Sequence, residues 1–135
     1  MRREDIEGVK PFGFGNQGIW IPKFVNPQLR FMKYSPGQHF KRHRDGGFVI
    51  NDDLRSVFTI IIYLNHSFSG GETHLYDFQD MDDIPMDSED IEARKITILP
   101  QTGKLLVFNH DFIHEATPIL EQSVNAKYIL RTDVS

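Results

Sequence analysis

Short apolar stretches separated by turn residues run through this chain of 135 residues. The stretches are rich in Ile, Val, Phe, Tyr and Thr, which favour β-strands, and Gly, Pro or Asn bounds nearly all of them. These boundaries have a physical cause, because Pro fixes a backbone dihedral and Gly permits positive ones. The pattern predicts eight to nine strands, at residues 18–25, 29–35, 39–45, 56–64, 73–78, 95–99, 104–109, 112–119 and 127–134.

The stretch at residues 58–64 is apolar without a clean alternation, which predicts a strand covered on both faces. Helical signals are weak: residues 87–94 favour a short turn beginning at Ser88, and residues 2–7 favour a second short helix at the N-terminus. Many short strands with little helix indicate an all-β domain of two packed sheets. We therefore expect a double-stranded β-helix, or jelly roll.

The length suits a single domain over residues 1–135, which can bury roughly two thirds of its unfolded surface. No apolar run approaches the ~18 residues that cross a bilayer, so we expect no membrane segment. The charged start of the chain has no apolar stretch behind it, and no secretory signal is visible. We therefore expect a cytoplasmic protein.

The formal net charge of -4 is unevenly distributed. Residues 77–95 contain eight acidic side chains against two basic ones, Arg94 and Lys95. A solvated loop and a lid that meets a basic substrate both fit this composition. The spacing of the acids does not match a calcium-binding EF-hand loop.

The chain contains no cysteine, so any metal must be held by His, Asp or Glu. His43 and Asp45 are two residues apart in a predicted strand, where their side chains point to the same face. A third ligand must come from elsewhere in the chain. Two histidines with one carboxylate are typical of non-haem Fe(II) oxygenases, although the His-x-Asp pattern alone is too short to be specific.

Several short motifs accompany the His-x-Asp pair in a fixed order. They are Tyr34-Ser35-Pro36-Gly37-Gln38 before it, and after it Tyr63-Leu64-Asn65, Gly70-Gly71-Glu72-Thr73, Leu99-Pro100, Gly103-Lys104-Leu105-Leu106-Val107-Phe108, His114-Glu115, Pro118-Ile119 and Lys127-Tyr128. In this order, over roughly residues 28–134, the chain resembles the prolyl 4-hydroxylase-like family of 2-oxoglutarate and Fe(II)-dependent dioxygenases.

The resemblance implies that His43 and Asp45 are the first two iron ligands and that His114 is the third. His110 competes with His114, but it lies in a predicted turn, whereas His114 occupies the family's His-Glu-x-x-Pro frame. We interpret the remaining histidines as solvent-facing or packing residues; they are His39, His66 and His74.

The cosubstrate, 2-oxoglutarate, needs a cation for its distal carboxylate. The resemblance points to Lys127, which opens the last predicted strand. Arg131 lies on the same face of the predicted strand as Lys127. In the alternative interpretation, Arg131 binds the distal carboxylate in place of Lys127 or together with it. Tyr34 and Tyr63 match positions where a hydroxyl supports the cosubstrate, although a tyrosine in a β core more often only packs.

The resemblance implies an enzyme that uses Fe(II), 2-oxoglutarate and O2, with ascorbate as a further cofactor, and His43, Asp45 and His114 as its catalytic residues. The implied substrate is a prolyl residue of a peptide or protein. The negative net charge and the lack of an aromatic-basic stretch disfavour nucleic acid. Four basic residues near the predicted site fit either an acidic or phosphorylated peptide or a solvated surface; they are Lys33, Lys41, Arg42 and Arg44.

Three alternatives stay open at this point: a catalytically inactive jelly-roll binding module, an oxygenase acting on a non-prolyl substrate, and a hydrolase or isomerase that uses another divalent ion. The oligomeric state is open as well.

Overall fold

Strands dominate the computed structural model, which describes residues 7–11, 13, 15–78 and 89–135. The one helix of these residues, α1 (Glu89–Arg94), has six residues. The strands are β1 (Arg30–Tyr34), β2 (Phe40–His43), β3 (Val49–Asn51), β4 (Leu54–Arg55), β5 (Phe58–Tyr63), β6 (Thr73–Tyr76), β7 (Lys95–Ile98), β8 (Leu105–Asn109), β9 (Ile113–Ala116) and β10 (Lys127–Val134).

The strands form two four-stranded antiparallel sheets and a separate hairpin. One sheet has the order β1-β10-β5-β8, the other has the order β2-β9-β6-β7, and β3 pairs with β4. Neighbours in each large sheet are mostly distant in sequence, as expected when strands cross between the two layers of a jelly roll. The predicted all-β double-stranded β-helix is confirmed.

The core lies between the two large sheets. Tyr63 and Ile129 pack on it from the first sheet and Leu75 from the second. Strand β5 lies between β10 and β8, and none of its six residues is exposed. The prediction that this apolar run is covered on both faces is therefore confirmed for residues 58–63, whereas Leu64 is 40% exposed.

One predicted strand was wrong, and one hairpin was missed. Residues 18–25 form no strand, because only Val25 makes a bridge, to Val134, while Ile19 and Ile21 remain largely exposed. The hairpin of β3 and β4 was missed, since its strands are only three and two residues long. Most of the predicted N-terminal helix and the start of the predicted turn at 87–94 lie outside the described residues; the described part of that turn is α1.

Two features of the sheets position the site. His43 on β2 stands directly opposite His114 on β9 in the antiparallel register. Along β10, alternation places Lys127, Arg131 and Asp133 on the same face of the strand. Among the described helices, none is long and apolar enough to cross a membrane.

Candidate metal centre

His43, Asp45 and His114 form the one group of possible metal ligands found among the described residues. Their ligand atoms all lie within 4.8 Å of one another. The Nε2 atoms of His43 and His114 lie 3.5 Å from Asp45 Oδ1 and Oδ2, respectively. Two imidazoles and one carboxylate this close together match the donor set of the 2-His-1-carboxylate arrangement.

Backbone carbonyls orient both imidazoles. The Nδ1 atom of His43 lies 2.6 Å from the carbonyl oxygen of Lys41, and that of His114 lies 2.9 Å from the carbonyl of Phe112. A carbonyl only accepts, so each Nδ1 carries the proton and donates it, which leaves Nε2 with a free lone pair. Both Nε2 atoms face the triad, as metal ligands of this type require.

Asp45 is held as a carboxylate. Thr59 Oγ1 donates to Oδ2 at 2.5 Å, and Arg131 Nη2 lies 2.8 Å from Oδ1. Burial raises the pKa of Asp45, but the contacts with His43, His114, Thr59 and Arg131 outweigh it and lower the pKa well below its usual range. Burial also lowers the pKa of His114, which favours the neutral ring that can bind a metal. The donor set therefore fits a divalent iron ion.

A cavity opens beside the two histidines and contains the predicted cosubstrate lysine. Lys127 is 1% exposed, and its Nζ donates to the Gly71 carbonyl at 2.8 Å. Burial lowers the pKa of Lys127 to about 8. The side chains and backbone that line the cavity come from both sheets; they include Met32, Tyr34, Phe40, His43, Ile61, Thr73, His114, Glu115, Ala116, Lys127, Ile129 and Arg131.

The two predicted tyrosines both lie beside the lysine. The Lys127 ammonium is 5.2 Å from the ring centroid of Tyr34 and 5.6 Å from that of Tyr63. Tyr34 lines the cavity, whereas Tyr63 reaches it through a 2.6 Å hydrogen bond between its hydroxyl and that of Thr73. Burial raises the pKa of both tyrosines, so their hydroxyls stay protonated.

Arg131 also lines the cavity, but its guanidinium is directed at carboxylates of the protein. Besides Asp45, it lies 3.9 Å from Asp133 Oδ1. Asp133 is in turn 3.1 Å from Arg30 Nη2 and 3.5 Å from His110 Nε2. A chain of charged groups thus extends from the triad along β10.

Glu115, next to the third ligand, belongs to a second polar cluster. Tyr76 donates a short hydrogen bond to it, His74 Nδ1 lies 3.1 Å away, and Arg42 lies 3.6 Å away. Burial, followed by the contact with Glu115, raises the pKa of Tyr76 to about 12. This cluster holds the strand that carries His114.

The structure separates the remaining histidines from the triad. His39 is exposed, His66 bonds Thr102 at 2.7 Å, and His110 is buried behind Asp133. Two of the four basic residues near the site contact acidic groups, since Arg42 faces Glu115 and Arg44 Nε lies 3.5 Å from Asp111.

Thr59 and the Glu115 cluster were missed by the sequence reasoning. Thr59 had a visible signal, because it is the one polar residue in the apolar run of β5. The partners of Glu115 had none, because they come from other strands and no local spacing links them to it.

Comparison with known proteins identifies a family whose members resemble this chain in sequence. The family model of the 2OG-Fe(II) oxygenase superfamily matches residues 29–132. No curated protein matches the chain in sequence.

Many solved structures match the fold of this chain, and three of them illustrate the match. A Burkholderia pseudomallei oxidoreductase of the 2OG-Fe(II) oxygenase family has 19% identity and a TM-score of 0.58, and the match covers 83% of this chain and 43% of that one. A Pseudomonas putida prolyl-4-hydroxylase has 23% identity and a TM-score of 0.53, with 78% and 50% covered. AviO1 of Streptomyces viridochromogenes Tue57 has 15% identity and a TM-score of 0.55, with 85% and 50% covered. The chain thus spans about half the length of the structures it matches.

Proposed function

Because the chain belongs to the 2OG-Fe(II) oxygenase superfamily, we propose that it is a dioxygenase that hydroxylates prolyl residues of a peptide or protein. The reaction would consume one 2-oxoglutarate and one O2, release succinate and CO2, and convert one substrate C–H bond to C–OH. The family assignment made from the ordered motifs is confirmed. The substrate and the role of each residue are proposals.

One observation supports the activity most strongly: the metal triad adjoins a cavity that contains a buried ammonium. A generic metal site has no need of such a cation. A cosubstrate that binds a metal at one end and carries a carboxylate at the other needs both features at once. Residues 1–135 would then act as one oxygenase domain with its core at about 28–134.

The roles of the residues follow from their contacts. His43 and His114 would bind iron through Nε2, and Asp45 would bind through a carboxylate oxygen. Bound Fe(II) supplies the chemistry that activates O2. Thr59 and Arg131 keep Asp45 ionised and oriented, and the apolar walls of the cavity exclude water.

Lys127 is the proposed partner of the distal carboxylate, and Arg131 is not. Lys127 Nζ makes one hydrogen bond, to the Gly71 carbonyl, and no described acidic side chain lies within ion-pair distance of it. An ammonium has three donors, so an incoming carboxylate can be accommodated. Arg131 already faces two carboxylates of the protein.

Two variants test this assignment. Lys127→Met should weaken 2-oxoglutarate binding at least tenfold, because it removes a buried charge-assisted contact, while metal binding stays near that of the wild type. Arg131→Gln should weaken metal binding instead, because it releases Asp45. Calorimetric titration with Zn(II), before and after 2-oxoglutarate, separates the two effects. The reverse order of effects would assign the carboxylate to Arg131.

Two observations support the prolyl substrate. The ordered motifs resemble the prolyl 4-hydroxylase-like family, and a prolyl-4-hydroxylase is among the structures with the same fold. Ascorbate, as a reductant that keeps iron in the Fe(II) state, rests on the family resemblance alone. Omitting it from multiple-turnover assays should lower the yield of succinate.

The decisive experiment loads the protein anaerobically with Fe(II) and 2-oxoglutarate and then adds oxygen and a library of proline-containing peptides. We expect a 16 Da gain on peptides and matching succinate. His43→Ala and Asp45→Ala should abolish both products, while His66→Ala, which changes a histidine remote from the triad, should not.

Other outcomes identify the alternatives. Succinate without any peptide product would indicate a non-prolyl substrate. Failure to bind Fe(II) by the folded protein would indicate an inactive binding module. Full activity in Asp45→Ala would refute the assignment of the metal ligands.

A further inference from the structure

A second cavity adjoins the metal triad on the side of Asp45. Its volume is about 190 Å³, and it is lined by Pro11, Gly13, Asp45, Gly47, Val49, Arg55, Ser56 and His110. None of these residues lines the cavity that contains Lys127. The three ligands are therefore divided between two cavities, with the histidines on one and the carboxylate on the other.

His110 is the unusual residue of this second cavity. It is only 3% exposed, yet neither ring nitrogen makes a hydrogen bond. Buried polar groups in native proteins are nearly always paired, and an unpaired one requires an explanation such as a ligand that supplies the missing partner. His110 is fixed in place by its backbone, whose N–H donates to the Val57 carbonyl at 2.9 Å.

The neighbours of His110 indicate what that partner must be. Its Nε2 faces Asp133 Oδ1 at 3.5 Å, too far for a good hydrogen bond but close enough for the carboxylate to favour the proton on Nε2. Nδ1 is then a bare acceptor. A ligand that satisfies it must bring an N–H or O–H donor.

We propose that this cavity is the substrate subsite and that His110 determines specificity there by accepting a hydrogen bond from a peptide N–H. This inference rests on the proposed prolyl hydroxylation. Proline itself has no amide hydrogen, so the donor is the amide that follows the target proline. Because Asp45 and His110 line the same cavity, the prolyl ring would lie close to the residues that would hold the metal.

The rim of the cavity fits a peptide as well. Phe48, Val49 and Ile50 follow Asp45 closely in sequence and are 56%, 59% and 45% exposed. Val49 belongs to both the cavity wall and this apolar surface. A peptide can therefore place one residue in the cavity and lay its neighbours along β3.

A matched pair of fragments tests the inference without knowledge of the natural substrate. N-acetyl-L-prolinamide has the amide N–H, and N-acetyl-L-proline N,N-dimethylamide lacks it. Protein loaded with Zn(II) and 2-oxoglutarate should bind the first fragment about 5- to 10-fold more tightly, the effect of one hydrogen bond to a buried group. The first fragment alone should shift the ¹⁵N resonance of His110 Nδ1.

Variants connect this preference to His110. His110→Phe keeps an aromatic ring, although a slightly larger one, and removes the acceptor, so both fragments should bind with equal affinity. His110→Asn retains an acceptor and is a second test variant in case the phenylalanine does not fit. It should keep part of the preference for the first fragment. His39→Phe changes an exposed histidine outside the cavity and should keep the full preference.

If His110 had only a structural role, it would contact Asp133 but would not discriminate between the fragments. Equal binding of the two fragments to the wild type, no binding of either, or a preference that survives in His110→Phe would each overturn the inference. Titration with 2-oxoglutarate separates this result from the fate of the proposed function. Normal cosubstrate binding without fragment discrimination removes only the subsite, whereas discrimination without cosubstrate binding removes the oxygenase proposal.

Discussion

At the scale of single residues, the buried ammonium of Lys127 is a costly group near the site. Removing a charge from water is unfavourable unless a partner compensates, and here two aromatic faces, one carbonyl and the charge of Glu72 compensate only in part. The lowered pKa of about 8 reflects this deficit. A dicarboxylate cosubstrate would supply the missing negative charge.

The lowered pKa of Lys127 predicts that 2-oxoglutarate binding depends on pH. Above pH 8 the lysine of the free protein is increasingly neutral, so 2-oxoglutarate binding must take up a proton. We expect its dissociation constant, measured on Zn(II)-loaded protein, to rise with pH above 8, approaching about tenfold per unit. Lys127→Met should bind weakly at every pH without this slope, and a pH-independent wild type would contradict the role of Lys127.

The lowered pKa of Lys127 also makes the free energy of unfolding depend on pH. Because the folded pKa lies below the unfolded value of 10.5, the unfolded chain binds more protons between pH 8 and 10.5. The unfavourable contribution of Lys127 is therefore fully present below pH 8 and disappears as the pH rises to 10.5. Without cosubstrate, this one group makes the protein more stable with increasing pH across that window.

At the scale of elements, the turn that enters β6 shapes the cosubstrate cavity. Gly71 has a φ of +74°, and its carbonyl accepts the hydrogen bond from Lys127. A Cβ added there would lie 2.5 Å from Ile119 Cδ1 and 3.3 Å from Lys127 Cδ. Glycine is needed both for the backbone conformation and for the close approach of these side chains.

Gly71→Ala should therefore destabilise the protein by about 2–4 kcal/mol, the sum of left-handed backbone strain and overpacking. Gly103→Ala is the matched control, because its φ is +82° but no atom lies within 4 Å of the added Cβ. It should cost only about 1–2 kcal/mol. Urea unfolding at pH 7 measures both, and equal losses would show that the packing around Gly71 can relax.

At the scale of the whole molecule, the candidate metal centre joins the two sheets. His43 and His114 belong to the sheet of β2 and β9, whereas Thr59 and Arg131, which hold Asp45, belong to β5 and β10 of the other sheet. A metal bound to all three ligands would connect the layers. A cytoplasmic location and the absence of nucleic-acid partners stay predictions from the sequence.

Metal binding should accordingly raise the melting temperature. A ligand at 100 times its dissociation constant adds about 2.7 kcal/mol to the free energy of unfolding, roughly 5–15 °C for a domain of this size. Differential scanning fluorimetry with Zn(II), reversed by a chelator, measures the shift. His43→Ala should lose most of it and His66→Ala should retain it; an unchanged shift in His43→Ala would place the metal elsewhere.

The sequence by itself determined the β architecture and nominated the residues that converge at the site. The architecture and the pairing of His43 with Asp45 depend on local regularities, namely the strand period of two, the turn residues and the spacing of the pair. His114 and Lys127 were instead implied by the resemblance of the ordered motifs to a known family. The misassigned strand at 18–25 shows the limit of such patterns, because pairing needs a neighbouring strand that no local window contains.

The different surroundings of Lys127 and Arg131 are visible only in the tertiary structure. The two residues share strand parity, and in the sequence only the family resemblance favours Lys127. They differ because each meets a different neighbour across the fold, Gly71 in one case and Asp45 in the other. The unpaired buried ring of His110 is likewise invisible in the sequence, since burial and missing partners are properties of the packed chain.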